Sequence, residues 1–429
     1  MAPSKLAQRC ACAPDQAARC GGPVLMPQFP RKKPAREHPL ARGRLADRAS
    51  TLLGTAWDKG WLPTPDLSAD ALWDVATNAA NAHGETGGRS GEDVADFRER
   101  LERLCNAVIE EANLNPLGKA MAWGQLSRVV KNRLAFGKLW SDRPELAETE
   151  LAPPIIVIGH MRSGTTRIHK LLAADPAHSH TRYCDAYHPV PAAKGVNRVR
   201  SALDLVMLNA LNPWLQSIHP MAPGDVEEEL AWISAALHHS IYESQWHIPS
   251  YSIWSEAADA APIYREFARI LRTDAAHRGI ADKPRVLKVP AFAEDLPALL
   301  DLFPDARLVV AERDSEKVLR SAVSLCANQM AIQSDTCDLD TIEALWRHKI
   351  VLREERMAKT LTQWDGKIAR LHFDALGGDW EGAIARCYAD LDLELTPEAL
   401  FAMHAQMEDS ASGHHHAHSQ QLERFAEER

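Results

Sequence analysis

The chain has 429 residues, 45% of them hydrophobic and 25% charged, the make-up of a globular protein with room for a large core and two or three domains. Its net charge of −9 hides an asymmetry: residues 1–45 carry +7 and the remainder −16, a body too acidic for general nucleic-acid binding. No apolar run approaches the ~20 residues that span a bilayer, so no integral membrane segment is expected.

Residues 1–44 are rich in Pro, Ala, Arg and Gly without periodicity and read as a disordered basic tail. They lack the apolar segment of a secretory signal, and a transit peptide or a true start at Met26 stays open. The eight cysteines are scattered rather than arrayed as a framework, which predicts a reduced, cytoplasmic compartment. Cys10, Cys12 and Cys20 lack a second ligand pair for zinc.

Residues 45–150 read as a helical N-terminal region, a scaffold or lid packed on the next domain. Phe97, Leu101, Leu104, Cys105 and Val108 fall at helical spacing, and so do Met121, Leu126, Val129, Val130, Leu134 and Leu139 farther on. Asn115-Pro116 separates the two runs, and residues 84–91 form a glycine-rich loop.

From 151 to 429 the pattern becomes α/β. Ile155–Ile158, Arg285–Lys288, Leu308–Ala311 and Ile368–Phe373 are short apolar segments divided by helical stretches. That alternation predicts a parallel sheet flanked by helices, with a Trp-rich helical insertion at about 197–283. Ligands in such sheets bind beyond the C-terminal ends of the strands.

The first strand runs into Gly159-His160-Met161-Arg162-Ser163-Gly164-Thr165-Thr166 and then a helix. This turn aims backbone N–H groups and a helix dipole at one spot suited to an anion. The Gly159/Gly164 spacing is that of a Walker A loop, but Thr165 stands where that motif has Lys; the cation is Arg162 instead. The bland alternative is an ordinary helix cap. Arg-Ser-Gly-Thr-Thr after a buried strand resembles the 5′-phosphosulfate loop of the sulfotransferases, which use 3′-phosphoadenosine 5′-phosphosulfate (PAPS). The resemblance implies a P-loop-like fold and casts Arg162, Ser163, Gly164, Thr165 and Thr166 as 5′-phosphosulfate ligands.

The same family grips the nucleotide 3′-phosphate with an Arg followed eight residues later by a Ser, the spacing of Arg313 and Ser321. It also has a strand-ending Lys that stabilises the departing charge, matched by Lys288. A lysine ending an apolar strand is costly to bury without a partner, which itself points it at a site. The family's Lys-Ser-Pro here reads Lys288-Val289-Pro290, and Ser315 stands where Pro is common. A general base is needed to deprotonate the acceptor. His219, Glu227 and Glu228, in a His-Pro-Met…Glu-Glu block similar to one of a bacterial-type sulfotransferase family, are the candidates; Glu229 reads equally as a solvated helix start. Gly413–Phe425 resembles the terminal segment that folds over the nucleotide, with His418 among its contacts.

The resemblance therefore implies transfer of a sulfuryl group from PAPS to a hydroxyl, or an amine, of a small-molecule, lipid or carbohydrate acceptor, with no metal required. Trp214, Trp232, Trp246, Tyr251 and Trp254 are either walls of the acceptor pocket or plain core. A P-loop kinase-like phosphotransferase and a non-catalytic nucleotide-binding protein are the alternatives. His169 and His188 read as structural.

Overall fold

Ile155–Ile158 (β1) is wholly β-branched and buried on both faces, as a central strand of a covered parallel sheet requires. The computed structural model describes residues 42–79, 84–213, 215, 220–336 and 338–411. The basic-tail reading of 1–44 falls outside these, apart from Arg42, Gly43 and Arg44, the last of which opens the helix Arg44–Asp58.

The other strands are Ser179–His180 (β2), Arg285–Lys288 (β3), Arg307–Glu312 (β4) and Ile368–His372 (β5). They form one sheet in the order β2-β3-β1-β4-β5, every pair parallel. The two-residue β2 was not foreseen: it is too short to show a period. Ile155 and Val157 pack on Ile168, Leu171 and Leu172 of the helix Thr165–Ala174. Ile156 and Ile158 face the opposite layer, among Phe267, Phe292 and Leu296.

Register sets the site. Val157 lies level with Lys288 on one side and Val309 on the other, and Glu312 lies level with His372. The residues that leave the strand ends (Gly159 onward, Lys288, Arg313 and Phe373) therefore emerge along one edge.

The helices of residues 67–134 share a core with Leu237, Tyr242, Trp246 and Tyr251 of the insertion. Asn115 caps the helix Pro116–Asp142 by accepting the Gly118 N–H at 2.8 Å. Its own N–H and amide reach the Gln333 and Ile332 carbonyls at 2.9 and 3.1 Å, at the end of the helix Ser315–Gln333. That joins the N-terminal helices to the helix bearing Ser321. Among the described residues no helix is long and apolar enough to cross a membrane.

Candidate active site

Gly159 leaves β1 at φ 139°, where a Cβ would stand 2.7 Å from the Ala311 carbonyl oxygen. Gly164, at φ 90°, is the N-cap of the helix Thr165–Ala174, and a Cβ there would meet the Phe373 ring at 2.7 Å. Between them Ser163 Oγ donates to the His160 carbonyl at 2.6 Å and tightens the loop. Thr165 and Thr166, which open the helix and whose N–H groups have no intrahelical acceptor, line the cavity described below.

Arg162 takes a left-handed φ of 68°, a conformation that costs an L-residue about 1–2 kcal/mol. The surroundings hold it there. Its carbonyl accepts from the Arg313 guanidinium, and its own Nε donates to Ser321 Oγ at 2.8 Å. The two phosphate-binding elements read from the sequence are thus in direct contact. Burial, then Arg313, lowers the Arg162 pKa to about 10. No carboxylate forms an ion pair with either guanidinium among the described residues, and Arg313 Nε is buried without a hydrogen-bond partner. Asp374 and Asp314 act on Arg313 without an ion pair, so two guanidinium groups and an orphan donor meet beside one cavity. Phe373, missed by sequence reasoning, floors this site: the Arg313 Cζ lies 4.0 Å from its ring centroid.

Glu354 joins the two elements from outside, accepting from Ser315 Oγ at 2.6 Å and lying 3.3 Å from His160 Nε2. The serine in place of the common proline therefore supplies a tie.

Lys288 is 4% exposed and its Nζ donates to Glu228 Oε2 at 2.7 Å. Its backbone N–H donates to Glu229 Oε2 at 2.9 Å. Backbone bonds from Tyr183 to Asp225, from Cys184 to Pro223 and from Glu227 to Thr181 fix the acidic segment against the chain leaving β2. Glu227, Glu228 and Lys288 line one cavity of about 1170 Å³ together with Arg162, Arg313 and Ser321. Glu229 does not line it. The solvated reading of that residue is wrong, because it is fully buried beneath β3. His219 and His418 lie outside the described residues.

Residues 153–397 match the model of a sulfotransferase family, more than half of the chain. The chain belongs to the sulfotransferase family. It is 27% identical over 282 residues to omega-hydroxy-beta-dihydromenaquinone-9 sulfotransferase Stf3 of Mycobacterium bovis and, equally, of Mycobacterium tuberculosis, covering 61% of this chain and 67% of those proteins. Among solved structures, sulfotransferase STF1 from Mycobacterium tuberculosis superposes with a TM-score of 0.70 at 28% identity, over 84% of this chain and 98% of that one. Sulfotransferase STF9 from Mycobacterium avium superposes at 0.72 and 21% identity, over 81% and 89%, a likeness of fold alone.

In this sulfotransferase the rest of the cavity wall is largely apolar, with Met121, Val129, Leu208, Leu211 and Leu325 on it. Its aromatic contributors, besides Phe373, are Tyr183, Tyr187, Tyr242 and Trp346. The tryptophan-rich set singled out in the sequence is different. Trp232, Trp246 and Tyr251 are buried core, and Trp254 packs on that core beneath Arg100 and Arg103; none lines the cavity, and Trp214 lies outside the described residues. His169 is buried, its Nε2 3.2 Å from the Val286 carbonyl, and burial lowers its pKa to about 3. His188 pairs with Asp204 at 3.0 Å.

Burial raises the Glu229 carboxyl to about 7, against the pull of Thr181, the Lys288 N–H and Arg285. Between its ordinary value of 4.5 and 7, the folded chain keeps a proton the unfolded chain has lost, so this group makes stability fall as pH rises. The buried histidines act oppositely at lower pH, but they cancel between wild type and a Glu229 variant. In urea unfolding, Glu229→Gln should gain about 2–3 kcal/mol on wild type between pH 4.5 and 8. A stability difference that is flat over that range would show that Glu229 titrates normally.

Proposed function

We propose that this sulfotransferase binds PAPS, the general donor of its family, and transfers the sulfuryl group to a hydroxyl on an acceptor with an extended apolar body. The observation that carries the reading is the Arg162–Arg313–Ser321 contact, which makes one cationic site from a loop and a strand–helix turn 151 residues farther on, beside the Lys288–Glu228 pair. Bound PAPS supplies the activated sulfuryl group. In this reading Arg313 and Ser321 hold the 3′-phosphate, and Arg162 with the N–H groups of Gly164, Thr165 and Thr166 holds the 5′-phosphosulfate, while Ser163, whose N–H and Oγ both donate to the His160 carbonyl, shapes the loop. Lys288 Nζ places a fixed positive charge where negative charge develops on the leaving oxygen. Glu228, which lines the cavity 2.7 Å from that ammonium, receives the acceptor proton; Glu227 and His219 are the other candidates. A base paired to the cation that assists departure keeps both ends of an in-line transfer within one side-chain length.

The apolar wall supports an acceptor that is largely hydrocarbon or prenyl-like, with its hydroxyl at the Glu228 end. The likeness to a sulfotransferase named for a hydroxylated menaquinone points the same way.

The test is transfer from labelled PAPS across phenols, steroids, carbohydrates and long-chain or prenyl alcohols, with labelled adenosine 5′-phosphosulfate as the control donor. Product is expected from PAPS with the apolar alcohols, and Arg313→Ala should erase most of the preference for PAPS over the control donor, at least tenfold. Unchanged preference in that variant would refute the 3′-phosphate assignment. ATP turnover with no response to PAPS would favour the kinase-like alternative.

A further inference from the structure

The helix Val196–Leu211 faces two ways. On one side Asp204, Leu208 and Leu211 line the cavity, while Ser201, Leu205 and Asn209 are buried. On the other, Val199, Leu203, Val206 and Met207 are 63%, 66%, 42% and 62% exposed. Offsets of four, seven and eight residues put these side chains in one stripe along an α-helix. A helix face left to water normally carries polar residues there, and four large apolar groups in a row need a cover.

Two observations say what the cover is. Met207 belongs to both sets: it lines the cavity and is also exposed, so the cavity reaches the surface beside the stripe. The start of the helix is basic. Lys194, Arg198 and Arg200 are exposed and form no ion pair among the described residues. The helix's one acid, Asp204, is taken up by His188 at 3.0 Å and Arg128 at 3.5 Å. An apolar stripe with lysine and arginine beside it matches an anionic lipid surface in both chemistry and sign.

We propose that this helix docks the enzyme on an anionic bilayer, the stripe entering the interface and Lys194, Arg198 and Arg200 meeting headgroup phosphates. Residues 46–429 carry a net −16 and are repelled by the same surface, which favours this basic face of the body. Docked so, the cavity opens into lipid beside Met207, and an apolar acceptor reaches Lys288 and Glu228 without crossing water. That consequence rests on the apolar-acceptor reading above; bilayer binding does not.

The experiment is flotation of the full-length protein with phosphatidylcholine vesicles, with and without phosphatidylglycerol. Binding is expected to the anionic vesicles, weaker to the neutral ones, and reduced by salt. The double variant Val199→Ser/Leu203→Ser changes two exposed side chains that do not line the cavity. It should lower the partition at least tenfold, keep its melting temperature, and still sulfate a short soluble alcohol while losing transfer to a vesicle-embedded one. The proposal is overturned if the wild type does not float with anionic vesicles or if the variant floats equally. It also fails if light scattering shows a dimer that the variant splits, which would make the stripe a contact between copies. Vesicle binding without transfer to any embedded alcohol would uphold the docking and sink the acceptor reading instead.

Discussion

Replacing Lys288 by Met should lower kcat by about 10³-fold while the Kd for 3′-phosphoadenosine 5′-phosphate changes only a few-fold. The split follows from how the residue is held. Lys288 ends β3 level with Val157, its N–H is tied to Glu229 and its Nζ to Glu228, so the ammonium has little freedom. The nucleotide phosphates are assigned to other groups, namely Arg162, Arg313, Ser321 and the helix N-terminus. A positive charge that matters chiefly when charge builds on the leaving oxygen contributes to turnover, not to ground-state affinity. Methionine keeps the buried stem and removes the charge, so the strand end stays packed. Glu228→Gln should also lower kcat, and the double variant should fall well short of the product of the two losses, because the pair acts as a unit. Equal losses in kcat and in nucleotide affinity for Lys288→Met would place Lys288 in binding and not in the transition state. Single-turnover transfer and nucleotide titration by calorimetry separate the two.

The sequence made the central architecture readable because β1, β3 and β4 carry short apolar stretches of Ile, Val, Leu or Ala and β5 alternates Ile, Ala and Leu with polar residues, patterns set by local chemistry. Arg162, Lys288, Arg313 and Ser321 were singled out for a different reason, their resemblance to sulfotransferase motifs, and the structure brings all four onto one cavity. What stayed hidden depends on register and long-range packing. Phe373 follows an exposed strand residue and looks unremarkable until the Glu312–His372 pairing brings it beneath Arg313. Glu229 reads as one more acid in a run of three, and only the fold shows that its neighbours face the cavity while it is buried under Lys288. The insertion's tryptophans were ambiguous because an aromatic residue suits a pocket wall and a core equally; packing decided for the core at Trp232, Trp246 and Trp254. Tyr183 and Tyr187, stacked with ring centroids 4.5 Å apart, carry no local signal of their place on the cavity wall.

The largest stability loss is expected from Lys349→Met, about 3–5 kcal/mol, or roughly 4–6 °C in melting temperature for a chain of this size. Lys349 is fully buried in the helix Leu339–Leu361, where its Nζ meets Glu243 at 3.0 Å, Glu294 at 3.5 Å, His239 at 2.9 Å and also Glu256. Burial opposes its charge, but those three carboxylates hold the ammonium above the ordinary lysine range. Arg353, one turn on, shares Glu294 at 2.7 Å. Burial alone would raise the Glu294 carboxyl, yet Lys349 and Arg353 keep it well below its ordinary value. His239, Glu243 and Glu256 are spaced closely enough to suggest a metal centre, but the ammonium already sits among them as their cation. Removing it strands buried negative charge, which costs more than the pair itself contributed. Glu243 is the acid that burial has raised, so it is the one most readily neutralised. Lys349→Met/Glu243→Gln should therefore recover part of the loss, and the recovery should shrink at acidic pH, where the single variant can protonate the stranded acids itself. Glu294 directly follows the turn Pro290–Ala293 that leaves β3, so a loosened cluster should also reach Lys288 and lower turnover more than unfolding alone explains. A stability within about 1 kcal/mol of wild type by denaturant unfolding would mean that water or rearranged acids replace the lysine at little cost.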